Sequence, residues 1–356
     1  MVPVRRVQAL RLFSDPDGPW WALRLHWRRA RLLVRALRKR GELQPVADRT
    51  AAIRPGAILA FACLRNEAER LPHFLDHHRR LGVSQFLIVD NASTDATPRL
   101  LADAPDVSVW RSEASYRAAR FGMDWLTWLL TRHGAGHWCL TLDADELLVF
   151  PRHDSLGLPA LTAWLDARRI PMLAALMLEL YAEGPLSSAR CAPGADPLEA
   201  LPLFDAEGYL WDRQRRYAGI SIRGGVRRRA FFADAPDRAP HLHKTPLIRW
   251  RRGHVYVSST HIALPRRLNA GFDARRDAPT GALLHSKFLD LALAKSAEDK
   301  VRCQHFTHPG RYGVYYDAIL ADPVLADARS VRFRDWRQLQ ALGLISGGAW
   351  APMGAF

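Results

Sequence analysis

Three carboxylates lie within four residues at the end of an apolar segment: Asp143, Asp145 and Glu146. The segment before them, residues 137–142, reads His-Trp-Cys-Leu-Thr-Leu and is typical of a buried strand. Carboxylates this close together repel one another, so the pattern favours a divalent cation or a cationic ligand group among them. The alternative is a solvated turn after a strand, because short acidic motifs are common in sequences.

Polar clusters also follow two other predicted strands. Arg65-Asn66-Glu67 follows the strand predicted at 57–63, and the strand predicted at 85–90 ends in a second cluster formed by Asp90, Asn91, Ser93, Thr94 and Asp95. The carboxyl ends of parallel strands meet at one edge of a sheet, so all three clusters are expected to line one ligand-binding crevice. Each cluster also has a local explanation, since Asn66 and Ser93 suit helix caps and Asp95 suits a first helical turn.

The elements that position these clusters alternate between strand and helix. Helices are predicted from Asn66 to Gly82, after a cap at Ser93 or Thr94, and from Tyr116 to a stop at Gly134. Further strands are predicted at 107–110 and 138–142. This alternation indicates an α/β fold in which a mostly parallel sheet has helices on both faces. The chain has no Gly-x-Gly-x-x-Gly or Walker-type lysine motif, which disfavours ordinary dinucleotide or P-loop phosphate binding.

A basic amphipathic helix is predicted near the N-terminus. Between Trp21 and Arg40 there are eight basic residues and no acidic one, within a chain of formal net charge +15. Apolar residues recur at helical spacing, and the predicted apolar face consists of Trp20, Leu23, Trp27, Ala30, Val34 and Leu37. Two hypotheses stay open: this face lies on an anionic membrane, or it packs on the protein's own domain with arginines outward. No nucleic-acid binding is expected, since no known binding motif accompanies the charge.

The composition predicts a large globular protein in a reducing compartment. The chain has 356 residues, 48% of them hydrophobic, which is enough for a sizeable core. Four cysteines are scattered without a Cys-x-x-Cys pair, so neither a disulfide framework nor a structural zinc is expected: Cys63, Cys139, Cys191 and Cys303. No apolar run approaches the roughly 20 residues that span a bilayer, and the first residues do not resemble a signal peptide. A cytoplasmic location is therefore expected.

The polar motifs, taken in order, resemble those of a known family. Cys63-Leu-Arg-Asn-Glu67, the segment 88–97 and Leu-Asp143-Ala-Asp-Glu146 are similar to the nucleotide-sugar binding half of glycosyltransferase family 2. The motifs His-His-Arg-Arg-Leu-Gly at 77–82, Ser-Tyr-Arg at 115–117 and Phe-Pro at 150–151 resemble its bacterial family-2-like branch. The resemblance is strong over 57–152 and weaker beyond.

The resemblance implies a Rossmann-like GT-A fold, a nucleoside-diphosphate sugar donor and a divalent cation, Mg²⁺ or Mn²⁺. Asp145 would bind the metal directly, Asp143 would contact the ribose or reach the metal through water, and His285 would complete the coordination. For His285 the alternative is a satisfied core histidine. The residues implied in nucleotide-sugar binding are Arg65, Asn66, Glu67, Asp90, Asn91, Ser93, Asp95, Asp143 and Lys244.

The family transfers sugars with inversion, which requires a base for the acceptor hydroxyl. Glu179, at the end of the apolar run 172–178, is the leading candidate, and Asp212 is the second. Either residue is equally compatible with a surface carboxylate. Lys244 and the arginines around residues 223–229 would bind donor phosphate or an anionic acceptor.

Three segments are predicted: a basic helix and linker at 1–55, a GT-A glycosyltransferase domain at 56–265 and a mainly helical C-terminal extension at 266–356. The predicted function is metal-dependent sugar transfer to a saccharide or lipid-linked acceptor in bacterial surface polysaccharide synthesis, with peripheral association at the inner face of the membrane if the basic helix binds lipid. Two alternatives stay open. A nucleotidyltransferase would have a glycine-rich basic loop after the first strand, and a non-catalytic membrane or nucleic-acid binding protein would leave the clustered carboxylates unexplained.

Overall fold

The structure, a computed structural model, describes residues 2–3, 19–302 and 313–351. Its strands are β1 (Val2–Pro3), β2 (Gln44–Ala47), β3 (Ile58–Leu64), β4 (Gln85–Asp90), β5 (Val107–Arg111), β6 (Trp138–Thr141), β7 (Glu146–Val149), β8 (Met172–Glu179), β9 (Leu203–Asp205), β10 (Leu210–Gln214), β11 (Gly219–Arg223), β12 (His243–Arg249), β13 (Val255–Ser258), β14 (Ile262–Leu264), β15 (Gly281–His285) and β16 (Ser330–Arg332). Its helices are α1 (Pro19–Lys39), α2 (Leu71–Leu81), α3 (Thr97–Asp103), α4 (Met123–His133), α5 (Gly157–Ala167), α6 (Pro197–Ala200), α7 (Gly225–Phe231), α8 (Leu291–Arg302), α9 (Gly313–Leu320) and α10 (Trp336–Ala341).

Nine strands of the described chain form one central sheet in the order β2-β5-β4-β3-β6-β12-β8-β15-β7. The strands β5, β4, β3, β6, β8 and β15 run in one direction, and β2, β12 and β7 oppose them. Strands β3 and β8 are buried at every position, as expected for inner strands that are covered on both faces. The prediction of an α/β fold with a mostly parallel sheet flanked by helices is confirmed.

Two helices begin later than their sequence patterns predict. Helix α2 begins at Leu71 rather than Asn66, because Asn66 has a positive φ of 51° and its side chain binds the next loop instead of capping a helix. Helix α4 begins at Met123 rather than Tyr116, because Arg120 and Phe121 also adopt positive φ values. Both helices start later because residues in the left-handed region of φ/ψ space stand at the predicted starts, and a right-handed α-helix does not accommodate that conformation. The predicted stop of α4 at Gly134 is confirmed.

The central sheet takes one strand from each of the two flanking segments. Strand β2, from the predicted linker, pairs with β5 at one edge, and β15, from the predicted C-terminal extension, lies between β8 and β7. Residues 281–285 are almost entirely apolar, so their burial inside the sheet is favourable. The boundary predicted at residue 265 therefore falls within the structural unit formed by the sheet, and the described part of the segment after β15 contains the helices α8, α9 and α10.

Helix α1 packs on the core with a face other than the predicted one. Leu25, Leu32 and Ala36 are buried, and the helix contacts α4 and β13. The predicted apolar face points outward, with Trp20 and Trp27 strongly exposed. No helix in the part of the chain that the structure describes is long and apolar enough to cross a membrane.

The cysteines on the inner strands are buried, as their apolar surroundings predict. Cys63 on β3 and Cys139 on β6 are free, buried thiols, and Cys191 is a free, half-buried one. Cys303 lies outside the described residues.

Candidate active site

The first two polar loops are connected by hydrogen bonds between side chains and backbone. The Asn66 amide oxygen accepts a bond of 2.8 Å from the backbone N–H of Thr94, and the Asn66 N–H donates to Ser93 Oγ at 3.0 Å. The guanidinium of Arg65 donates to the carbonyl of Ala92 at 2.6 Å, and the Asp95 carboxylate accepts from the backbone N–H of residue 68 at 3.1 Å. The loops after β3 and β4 therefore form one connected wall.

The residues of the second loop divide into those that support the loops and one, Asn91, that also lines the cavity. Asp90 is buried and accepts bonds from the N–H and hydroxyl of Ser93. Asp95 accepts from the N–H of Thr97 at the start of α3. Asn91 donates to the carbonyls of residues 112 and 114 and also lines the cavity described next. Asp90, Ser93 and Asp95 hold the loops in shape, and none of these three lines that cavity.

A cavity of about 370 Å³ opens at the carboxyl ends of the parallel strands. The predicted site residues on its wall are Arg65, Asn66, Glu67, Asn91, Asp143, Asp145, Lys244 and His285. Lys244 reaches the same edge because β12 runs antiparallel and begins there. Of the described residues that line the cavity, six are lysine or arginine and five are aspartate or glutamate. The site is thus a polar cleft that is lined by both positively and negatively charged side chains.

Asp145 and His285 form the closest pair of predicted metal ligands. Strand β15 pairs with β7, which places His285 Nε2 3.1 Å from Asp145 Oδ2. Burial would raise the pKa of Asp145, but the charges of His285 and Arg70 hold the pKa of that carboxyl well below its usual range. Burial lowers the pKa of His285, and the neighbouring charge of Asp145 opposes that effect.

The other two carboxylates of the motif contact a lysine of the same chain. Lys244 is buried, and its Nζ donates to Asp143 Oδ2 at 3.1 Å and to Glu146 Oε1. Burial would lower the pKa of Lys244, but Asp143 and Glu146 raise the pKa of that amine, so it stays charged. Burial raises the pKa of Glu146 even beside this ammonium, so the carboxylate depends on Lys244 for its charge. The chain itself thus supplies the cationic group that the acidic motif requires.

The three predicted metal ligands do not converge on one point. Among the described residues, no group of three or more histidine, cysteine, aspartate or glutamate side chains is arranged to hold a metal ion. Asp143, with 52% of its side chain exposed, faces Lys244, whereas Asp145 faces His285. The arrangement therefore offers a two-residue site, Asp145 and His285, with Asp143 beside it.

The two candidates for the catalytic base lie away from the cavity wall. Glu179 is buried and forms an ion pair with Arg227, whose backbone N–H also donates to it at 3.2 Å. Its Oε1 is 3.9 Å from His285 Nδ1, so Glu179 lies directly behind the metal-ligand candidate. Asp212 lies on β10 in a separate three-stranded sheet, half-exposed and 4.0 Å from Arg223. Neither residue is among those that line the cavity.

Several residues of the cavity wall carried no functional signal in the sequence. Helix α8 brings Lys295 to Glu67 and Glu298 to Arg65, at 3.4 Å for the second pair. Arg227, one of the arginines predicted to bind phosphate, does line the wall. The wall residues that sequence patterns did not single out include Arg70, His241, His261, Lys295, Glu298 and Tyr316. Burial lowers the pKa of His241 to about 4 and that of His261 to about 3, so both are neutral at pH 7. These wall residues are distant from one another in sequence, and only the folded structure shows that they share one cavity.

The fold and the cleft define an α/β protein with a charged, ligand-sized cavity at the carboxyl ends of its parallel strands. No protein-family model matches the chain, and no curated protein matches it. Among the solved structures that align with it is one described as the crystal structure of 4-diphosphocytidyl-2C-methyl-D-erythritol synthase. The sequences are 14% identical, the alignment covers 81% of this chain and 98% of that chain, and the TM-score is 0.25. A TM-score this low carries no argument about fold or function, so the functional interpretation depends on the site itself.

Proposed function

We propose that this chain is a glycosyltransferase that moves a sugar from a nucleoside-diphosphate donor to a hydroxyl of a saccharide or lipid-linked acceptor. The observation that carries the proposal is the Asp145–His285 pair, which opens on a cavity whose wall includes both basic and acidic side chains. As the bond between sugar and diphosphate breaks, the leaving group gains negative charge. A bound divalent cation would neutralise that charge, and the basic residues of the wall would add to the effect.

The Asp145–His285 pair fits a divalent cation such as Mg²⁺ or Mn²⁺. Two ligand atoms that each lie about 2.1 Å from one ion are roughly 3 Å apart, and Oδ2 and Nε2 are separated by 3.1 Å. Hard cations of this kind commonly take only one or two protein ligands and complete their shell with phosphate oxygens and water. We therefore expect the ion to bind tightly only together with the nucleotide, and Asp143 to contact it through water or to bind the ribose.

Glu179 suits a positioning role better than that of a base. An imidazole that binds a metal through Nε2 carries its proton on Nδ1, and the Glu179 carboxylate 3.9 Å away favours that tautomer. The ion pair with Arg227 holds this carboxylate in place. We propose that Glu179 orients His285 and that another group of the cavity wall accepts the proton in an inverting transfer.

The loop residues would hold the nucleoside. Arg65, Asn66, Glu67 and Asn91 line one side of the cavity, and their connected loops fix the shape of that side before a ligand binds. Such preorganisation lowers the cost of binding a flexible nucleotide. Lys244 would act indirectly, by keeping the carboxylate of Asp143 in place.

Calorimetric titration tests the proposal. UDP, GDP and their sugars are titrated into the purified chain with and without Mn²⁺, and then into the variants Asp145→Asn and Glu179→Gln. We expect metal-dependent binding of one nucleotide that is lost in Asp145→Asn and weakened about 10- to 100-fold in Glu179→Gln, the range typical of residues that support metal ligands.

The matched control is Asp212→Asn, the same chemical change at a carboxylate that does not line the cavity. It should bind the nucleotide as the unaltered chain does. If the folded chain binds no nucleoside diphosphate, or if Asp212→Asn and Asp145→Asn weaken binding equally, the proposal is wrong. Binding of a nucleoside triphosphate with release of pyrophosphate would indicate a nucleotidyltransferase instead.

A further inference from the structure

Helix α1 is fixed to the core by one face and by two arginines. Leu25, Leu32 and Ala36 are buried against α4 and β13. Arg28 donates to the hydroxyl of Tyr217 at 2.7 Å, and Arg35 donates to the buried carboxylate of Asp124 at 2.5 Å. The helix is therefore held in one orientation, and the opposite face is presented outward by the fold.

That outward face is apolar along its length. Trp20 and Trp27 are 76% and 68% exposed, and Leu23, Val34 and Leu37 are each nearly half exposed. At 3.6 residues per turn these five residues centre about 170° away from the buried face, and they extend over about 25 Å of helix. A soluble protein rarely leaves several large apolar side chains together in water without a partner for them. We call these five residues the apolar stripe.

A basic strip borders the apolar stripe on one side. Arg24, Arg31 and Arg38 are exposed and recur every seven residues, which places them between the apolar stripe and the buried face. Next to them is a surface concavity of about 590 Å³, lined by Arg28, Arg31, Leu32, Val34, Arg35, Arg38, Lys39, Arg120 and Val257. No carboxylate is among these residues, but Arg35 and Arg120 both pair with Asp124 and Lys39 pairs with Glu42. The charge available to a ligand is therefore that of Arg28, Arg31 and Arg38. The concavity thus offers several positive charges to an anion at the border of an apolar surface.

We propose that this surface docks on a membrane that contains anionic phospholipid. The apolar stripe would enter the boundary between headgroups and acyl chains, and the arginines of the concavity would bind lipid phosphates. Tryptophan is the side chain best suited to that boundary, and a helix that lies in the plane needs no membrane-spanning length. Nucleic acid or an acidic protein would satisfy the arginines but would leave Trp20 and Trp27 in water. The proposal does not depend on the function proposed above.

Vesicle co-sedimentation of the full chain tests the proposal. Vesicles of phosphatidylcholine alone are compared with vesicles that contain a third phosphatidylglycerol. We expect binding to the anionic vesicles that falls about a hundredfold for the double variant Trp20→Ser with Trp27→Ser, since burial of each aromatic side chain contributes about a factor of ten. The double variant Arg31→Glu with Arg38→Glu should lose the preference for anionic lipid.

Two control variants carry the same changes elsewhere. Val314→Ser with Val324→Ser removes two strongly exposed apolar residues, and Arg54→Glu with Arg99→Glu reverses two exposed charges. Both should bind vesicles as the unaltered chain does. Point variants are preferable to deletion of the N-terminal segment, because residues 44–47 form a strand of the central sheet.

Three results would overturn the proposal. One is that the full chain, shown by circular dichroism to be folded, sediments to the same extent with anionic vesicles as without them. Another is equal loss of binding in the control variants and in the α1 variants. The third is a concentration-dependent dimer in analytical ultracentrifugation that the Trp20→Ser with Trp27→Ser variant abolishes, since the apolar stripe would then be covered by a second copy of the chain.

Discussion

Replacement of Lys244 by methionine should destabilise the protein in a pH-dependent way. The ammonium is buried between Asp143 and Glu146, and Glu146 is fully buried. Without the ammonium, Glu146 takes up a proton rather than remain an unpaired buried anion. Burial raises the pKa of this carboxyl and the charge of Lys244 opposes that rise, so loss of the ammonium lets the native variant bind the proton at neutral pH while the unfolded chain does not.

The magnitude follows from proton linkage. Protonation of a carboxyl with an unfolded pKa of about 4.3 costs about 1.4 kcal/mol for each pH unit above that value, hence up to about 3–4 kcal/mol at pH 7 and about 1 kcal/mol at pH 5. In the variant the pKa of Glu146 is higher in the native state than in the unfolded state, so the native state binds more protons than the unfolded state. The stability of the variant therefore falls as the pH rises from the unfolded pKa to the native one. The loss should therefore be large at pH 7 and small at pH 5.

Urea denaturation at pH 5, 6 and 7, followed by tryptophan fluorescence, measures the effect. The double variant Lys244→Met with Glu146→Gln provides the control, because its buried amide needs no proton. It should be more stable than the single variant at pH 7, and the difference between the two should disappear toward pH 5. A single variant that is equally destabilised at pH 5 and pH 7, or a double variant without recovery at pH 7, would refute the charged pair as the cause.

Three further changes test other contacts. Arg227→Met should lower the free energy of unfolding by about 3–5 kcal/mol in urea denaturation, because it leaves the buried Glu179 carboxylate unpaired, and Glu179→Gln in the same chain should recover part of the loss. Asn66→Ala should lower stability by about 1 kcal/mol and weaken nucleotide binding in calorimetry, because it removes the acceptor of the Thr94 N–H and replaces asparagine, which tolerates a positive φ, by alanine, which adopts φ near 51° less readily. Gly271→Ala should lower the melting temperature by several degrees, because the new β-carbon would come within 2.5 Å of a side chain of β8, whereas Gly253→Ala meets nothing within 4 Å and should melt as the unaltered chain does.

The sequence predicts the sheet well where its strands are continuous apolar runs. The ends of β3, β4 and β6 locate three polar loops at one edge, and the structure brings those loops together. The pattern fails where long-range contacts decide the structure. Asn66 reads as a helix cap in the sequence, but its amide binds Thr94, a residue of the next loop. Glu179 reads as a free carboxylate at a strand end, but Arg227, 48 residues away, pairs with it.

The N-terminal helix shows a different limit of sequence periodicity. Its amphipathic pattern correctly gives a helix, and the residues at the predicted apolar spacing do share one face. The helix contains a second, shorter apolar set at Leu25, Leu32 and Ala36, and that set meets the core. Periodicity shows that two faces are apolar but does not indicate which one the protein covers. The choice depends on partners for Arg28 and Arg35, which lie far away in sequence.

The acidic loop after β6 contains two kinds of carboxylate, and their partners separate them chemically. Glu146 is fully buried and contacts an ammonium, so its charge serves the folded structure. Asp145 contacts the imidazole of His285 and keeps a low pKa, so it remains an anion that a divalent cation could bind. Asp143 lies between them, half-exposed, with one oxygen directed to Lys244. A ligand that carries both phosphate and a divalent cation would therefore rearrange Asp145 and His285 first and would leave the Lys244–Glu146 pair intact.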